Sequence, residues 1–217
     1  MSPPPPAGDA HGHPHEHDHP HPHADEPRPH PGGPPFADAS VRRARPNDAP
    51  AVGLVQATVF REAYAGRVPA EVVARFEPDA FARTWRASLD APPGGVHRLM
   101  VACAGEQVVG LCAVGPSQDP DAGPAAGEVT VLAVHPDARR QGHGSRLLNA
   151  GVDVLREAGA ESVAVWLLSD DERTRAFLAA SGFAPDGAYR DRVVSPDGEA
   201  LREVRLTASV TAGDATA

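Results

Sequence analysis

The sequence predicts a mixed α/β domain, with a central sheet of about six to seven strands flanked by helices, behind a disordered His/Pro-rich tail. Three observations carry that expectation. The run Ser162-Val163-Ala164-Val165-Trp166-Leu167-Leu168 is nearly continuous in apolar residues, the pattern of a strand covered on both faces. Between it and the apolar run 128–134, Leu147, Leu148, Gly151, Val152, Leu155 and Ala158 recur at helical spacing. Strand, helix, strand at that separation makes a right-handed parallel crossover. On either side of this unit, paired apolar runs flank turn residues and read as antiparallel hairpins.

In chain order, residues 1–39 are a different material. Histidine alternates with proline or acid from His11 to His23, with Pro3 to Pro6 before and Pro31, Pro34 and Pro35 after. Little apolar surface is available there to offset ordering entropy, so a disordered tail is expected. Alternating imidazoles and acids suit Zn²⁺, Ni²⁺ or Cu²⁺. Incidental low complexity is the leading reading of the tail, and metal binding is the alternative. The folded domain spans 40–210, with a disordered end at 211–217. Its first strand covers 41–44. Pro46-Asn47-Asp48-Ala49 then caps a helix whose face is Val52, Val55, Val59 and Phe60, and Gly66 stops it. Helical pieces follow at 69–76 and 78–89, the latter with Phe81, Trp85 and Leu89 at four-residue spacing. Strands at 98–104 and 107–114 flank the turn Gly105-Glu106, and 115–127 is a loop. Asp170-Asp171 caps a helix with Ala176, Phe177 and Ala180 facing inward, ended by Ser181-Gly182-Phe183. Strands at 188–194 and 201–207 flank Ser195-Pro196-Asp197-Gly198.

Composition narrows the function classes. The 217 residues suit one globular domain with an appendage, and their net charge of −9 disfavours wholesale nucleic-acid binding. No run of about 20 apolar residues is present, so no membrane span is expected. No basic flank leads an apolar core, so no signal peptide is expected either. Cys103 pairs opposite about Val108 across the hairpin, which leaves Cys112 about 13 Å away along the strand. That is too far for a disulfide. Both cysteines read as small buried apolar residues, and a reducing cytoplasm is the expected compartment.

The chemistry concentrates after the strand that ends Ala133-Val134-His135-Pro136. Gly142 and Gly144 open the helix, where unpaired N–H groups and partial positive charge favour an anion. Glycine lets a bulky phosphate approach the backbone, and Arg139, Arg140 and Arg146 add formal charge. No Gly-Lys-Ser/Thr follows, and the third glycine of a dinucleotide fingerprint is missing. Arg139-x-x-Gly142-x-Gly144 in this context resembles the acetyl-CoA signature of the GNAT N-acetyltransferase superfamily. The resemblance spans about residues 41–210 and is densest over 128–183.

That resemblance implies a fold in which the two central parallel strands splay and pantetheine lies in the gap. It maps Leu132, Ala133 and Val134 onto the strand beside that arm. It maps Arg139, Arg140, Gln141, Gly142, His143, Gly144 and Ser145 onto the pyrophosphate loop, with His143 at a variable, exposed position. It implies direct acetyl transfer from acetyl-CoA to an amine, a small molecule or a peptide, with no required metal. Glu128 resembles the glutamate that some members use as general base. Asp171 stands where the family usually has asparagine near the pantetheine. Leu178 stands where a tyrosine often protonates departing CoA. Tyr64, Ser169 and Tyr189 are other hydroxyls near enough to weigh for that proton, each with a packing or surface role as the alternative. His135 reads as a strand terminator, and Trp85 and Trp166 as core. The alternatives to an enzyme are an acyl-CoA-binding sensor and a metal-binding role for the tail. A homodimer stays open.

Overall fold

The computed structural model describes residues 39–194 and 198–211. The expected tail, apart from Ala39, lies outside the described residues. So do Ser195-Pro196-Asp197 and residues 212–217. Seven strands form one sheet: β1 Ala39–Arg43, β2 Arg98–Ala104, β3 Gln107–Pro116, β4 Ala126–Val134, β5 Ser162–Leu168, β6 Ala184–Val193 and β7 Ala200–Ser209, in the order β1-β2-β3-β4-β5-β7-β6. Only β4 and β5 run parallel; every other neighbouring pair is antiparallel. The helices are α1 Ala49–Tyr64, α2 Ala70–Val73, α3 Pro78–Asp90, α4 His143–Glu157 and α5 Glu172–Ala180.

Apolar residues lie on both faces of the sheet. Leu147, Leu148 and Leu155 of α4 join Val129, Val163, Val165 and Leu206 in one cluster. Val52 and Val55 of α1 join Leu99, Val101, Leu111 and Ala133 in the other, with Trp85 and Leu89 of α3 packed against it. α4 lies close to the sheet because glycine faces it: a Cβ on Gly127 would stand 2.8 Å from Leu155 Cδ1. Cys103 pairs with Val108 and Cys112 with Met100, so the two thiols are separate and buried. Burial pushes the Cys112 thiol up to about 12, which leaves it protonated and inert.

Two expectations about faces change. β5 is not sandwiched between apolar layers. Val163, Val165 and Leu167 point into the α4 cluster, but Trp166 on the other face is part-buried under the Arg190 guanidinium, 4.2 Å from its ring centre. On α5 the buried residue is Leu178, while Ala176 and Ala180 are exposed. Alanine is apolar enough to suit either face, so the larger Leu178 sets the rotation of this short helix.

The feature that positions the site is a fork. β4 and β5 pair only from Ala126 and Ser162 to Val129 and Val165, although each strand runs on, to Val134 and Leu168. A register shift in β4 explains the separation. Ala113 of β3 pairs with Val131 and Val114 with Val129, so Thr130 is an extra residue. Side chains two apart on a strand share a face. Here Val129 belongs to the α4 cluster and Val131 to the α1 cluster. A bulge of this kind bends its strand, and β4 leaves β5 at that point.

Candidate active site

β4 past the bulge has one paired edge and one open edge. Polar backbone groups alternate between the two edges of an antiparallel strand. The His135 N–H donates to Val109 O at 2.8 Å, which turns Ala133 toward β3 and leaves Leu132 and Val134 facing the gap. The Val134 carbonyl accepts from Arg139 Nε at 3.2 Å. Ala133 pairs with Leu111, and its methyl sits in the α1 cluster.

At the open end of the fork the chain turns into α4. Gly142 is the N-cap at φ 80°, a left-handed conformation that favours glycine. The first helical hydrogen bond runs from Arg146 N–H to Gly142 O. The N–H groups of His143, Gly144 and Ser145 therefore have no acceptor within the helix. A Cβ on Gly144 would meet Phe177 at 3.7 Å and Val134 at 3.8 Å, so a methyl fits and a larger group would fill the cradle. Arg140, also left-handed at φ 64°, is exposed, as are Gln141 and Ser145. Arg146 holds the Gln141 carbonyl at 3.1 Å. This is a glycine-opened, cationic cradle whose free N–H groups suit a pyrophosphate.

Three loop or cap residues have their side chains turned into the protein, and for His143 this departs from the exposed position expected of it. Arg139 grips both oxygens of Glu62 at 2.8 and 2.6 Å. That pairing holds the Glu62 carboxyl below its ordinary value. Asp171 spends its carboxylate on Thr174, accepting from its N–H at 3.0 Å and its hydroxyl at 2.7 Å. His143 is not exposed; it is buried at 1%, and neither ring nitrogen has a partner among the described residues. The loop turns inward at the helix start, so the residue between the two glycines points beneath it. Burial, then the Arg146 charge, lowers the pKa of His143 from its ordinary 6.5. The unfolded chain thus protonates at a higher pH than the folded chain. Stability from this group is complete above about pH 6.5 and declines below it. His143→Leu should flatten the fall in melting temperature between about pH 7 and pH 5. An unchanged pH profile in thermal melts would mean another group takes up that proton.

Glu128 sits just below the fork, opposite Ala164 of β5 and Gly115 of β3. It is half-buried and has no ion-pair partner among the described residues. Burial, then the Asp119 charge, pushes its pKa above the ordinary 4.5; the Gln118 backbone N–H, Arg190 and Arg192 oppose this. Around it lies a polar network that sequence reasoning missed. Asp119 accepts from Trp166 Nε1 at 3.0 Å and Arg205 Nη1 at 2.9 Å. Arg205 also binds Asp121 and Asp186. Arg190 and Arg192 share Glu203, itself only 6% exposed. The alternating charges of β6 and β7 were a signal of one polar sheet face, but only the pairing shows which acid meets which arginine.

The end of α1 is tied to both arms of the fork. Glu62 binds Arg139 after β4, and Arg67 binds Asp170 after β5 at 3.0 Å. Tyr64 lies between these anchors and packs with Phe60 and Phe76. Burial, then the Glu203 charge, raises its pKa above the ordinary 10.0, so its phenol stays protonated. Tyr189 is exposed beside Arg202, and Ser169 uses its carbonyl to hold Arg175. His135 accepts from the Asp137 N–H at 3.4 Å and ends the strand. Among the described residues, no cluster of three potential metal ligands stands together, and no helix is long and apolar enough to cross a membrane.

Comparison with known proteins matches residues 58–183, more than half of the chain, to the model of the Acetyltransferase (GNAT) family. A mycothiol acetyltransferase of Beutenbergia cavernae is 41% identical over 66 residues, which span 30% of this chain and 22% of that protein's length. The paiA N-acetyltransferase of Thermoplasma acidophilum, solved with coenzyme A, superposes with a TM-score of 0.59 at 13% identity, over 79% of this chain and 98% of that one. A ribosomal-protein-alanine N-acetyltransferase of Brucella melitensis gives a TM-score of 0.59 at 18% identity, over 79% and 99%. These two likenesses are of fold.

Proposed function

The chain belongs to the acetyltransferase (GNAT) family, and on that premise we propose that it transfers an acetyl group from acetyl-CoA directly to an amine, with Glu128 as general base. The observation that supports this most is the arrangement along β4. An open backbone edge runs from a half-buried carboxylate at the closed end of the fork to a glycine-opened helix start at the other. The catalytic domain in this reading is 40–210.

Acetyl-CoA supplies a thioester carbonyl activated toward an amine. Leu132 and Val134 offer backbone groups along the gap for the pantetheine amides and for polarising the acetyl carbonyl. The N–H groups of His143, Gly144 and Ser145, with Arg140 and Arg146, receive the pyrophosphate. Arg139 and Asp171 position this machinery, one by tying the loop to α1, the other by capping α5. An alkylamine is only about one part in 2,500 neutral at pH 7. Glu128 takes the ammonium proton, directly or through water, and the freed lone pair then attacks the acetyl carbonyl. Leu178 is fully buried and has no proton to give, so the α5 acid of the family is absent. Tyr64 is the protonated hydroxyl set against this face. A thiol with a pKa near 8.5 is also a fair leaving group unaided.

CoA release measured against a panel of small amines, amino acids and peptide N-termini tests the function. The local likeness to a mycothiol acetyltransferase puts that relative's acceptor on the panel. Release that requires both acetyl-CoA and an amine is expected. Acetyl-CoA binding with no release across the panel would favour a sensing module instead.

A further inference from the structure

A cavity of about 290 Å³ opens between α3 and the sheet, lined among others by Trp85, Leu89, Leu99, Ala113 and Thr130. Leu99 and Ala113, with Trp85 and Leu89 packed against them, place it on the α1 face. Arg43 and Arg98 border it too, but they alternate with Ala44 and Leu99, so their side chains leave on the α4 face. Among the described residues no Asp or Glu lines it. The hollow is thus apolar, with no fixed charge aimed into it.

Its walls are fixed, and two of them lead to Glu128. Trp85 donates its indole N–H to Gln56 Oε1 at 2.5 Å, and Gln56 is itself buried. That bond holds the ring and uses its one polar group, so the indole offers the hollow only apolar surface. His97 also lines the hollow, and it lies against Gly115: a Cβ there would stand 2.8 Å from His97 Nδ1. Glycine inside a strand marks such a close approach. Gly115 and Glu128 are opposed across β3 and β4, so they share a face, with Cβ positions about 4.5–5.5 Å apart. His97 is therefore a neighbour of Glu128 as well as a wall of the hollow. Thr130 is the second link. It stands two residues beyond Glu128, about 6–7 Å along the strand. It lines the hollow and is exposed although β4 is central. Its hydroxyl is taken up by the Ala113 carbonyl at 3.2 Å.

An amine held at Glu128 has this hollow within reach of a short linker, on the same face of the sheet. A cavity of roughly 150 Å³ walled by apolar side chains accepts benzene. At about 290 Å³ this one has room for a ring and its linker. We propose that the hollow receives the non-reacting end of the acceptor, and that the acceptor is a primary amine carried on an uncharged, ring-sized apolar arm. The assignment rests on the acetyltransfer reading above and adds to it the class of amine. A carboxylate or a second ammonium on the arm would lose its water without gaining a partner, so charged arms are disfavoured.

Two measurements on the full chain test it. The first is fluorine NMR titration, without acetyl-CoA, using 2-(4-fluorophenyl)ethanol and 2-fluoroethanol. The aryl alcohol should bind at least about tenfold more tightly, the worth of burying a ring. Ser88→Phe, which pushes a ring into the hollow from α3, should remove most of that difference. The second is CoA release with 2-phenylethylamine against allylamine, a small amine of similar basicity. The aryl amine should be preferred by about 10–100-fold in kcat/KM, and Ser88→Phe should erase the preference, chiefly by raising the KM for 2-phenylethylamine. Leu89→Ala enlarges the hollow and should shift the preference toward 2-(1-naphthyl)ethylamine. The two variants act in opposite directions, so a general loss of folding cannot imitate the pair. Equal binding of the two alcohols, transfer without preference for the aryl amine, or a preference indifferent to both substitutions would each overturn the proposal. Failure of the acetyltransfer reading looks different: no CoA release with any amine of the wider panel, whatever the titration reports.

Discussion

Glu128→Gln should lower kcat by roughly 10²–10⁴-fold, the usual worth of a general base, while the acetyl-CoA KM should stay within about twofold of the parent. The amide keeps the shape of the side chain and loses its capacity to accept a proton. The position explains the selectivity. Glu128 lies below the point where β4 and β5 part, whereas the glycine cradle lies at the far end of β4. Burial and Asp119 raise the Glu128 pKa, so its basic form is lost at a higher pH than for an ordinary glutamate. The acid limb of kcat/KM should therefore lie above the ordinary 4.5 in the parent and be absent in the Gln variant. The deficit should shrink as pH rises toward the amine's own pKa near 10.4, where neutral amine needs no base. A deficit constant across pH would make Glu128 a binding group for the ammonium. No deficit at any pH would remove it from the mechanism.

Gly142→Val should weaken acetyl-CoA binding by about 100-fold, read by calorimetry, with kcat at saturation much less affected. Two costs combine. Gly142 stands at φ 80°, where a β-branched residue pays about 1–2 kcal/mol or more in backbone strain. A Cβ there would also stand 2.9 Å from Arg146 Nη1, displacing the guanidinium that holds the Gln141 carbonyl. The N–H groups that open α4 would then lose their common direction. Gly144→Ala is the internal control: the added methyl meets nothing nearer than 3.7 Å, so binding should change little. Equal loss in both variants, or loss in neither, would count against the loop as the pyrophosphate cradle.

Local chemistry determined much of this molecule in advance. The turn at Gly105 sets Cys103 against Val108 because hairpin pairing follows directly from turn position. The apolar run at β5 is bounded by residues that cannot extend it, so its limits were legible. Asp171 caps α5 because its carboxylate reaches an N–H three residues on, an interaction wholly within one turn. The loop with Gly142 and Gly144 was legible for the same reason: a left-handed helix start is a local demand on the backbone.

What depended on contacts between distant segments was decided only by the tertiary structure. The Thr130 bulge moves every later side chain of β4 to the opposite face, and nothing in Val129-Thr130-Val131 announces it. His143 lies inward between the two glycines, against its own polarity, a burial that local sequence does not announce. Arg139 carries the charge expected of a phosphate ligand, yet Glu62, 77 residues away, claims it first. Asp119 and Arg205 are 86 residues apart and meet beside Trp166 only once β7 has inserted between β5 and β6. Sequence pattern encodes periodicity and turn chemistry, which act over a few residues. Which charge pairs with which, and which face a bulged strand presents, depend on strand order and register, and those are properties of the assembled sheet.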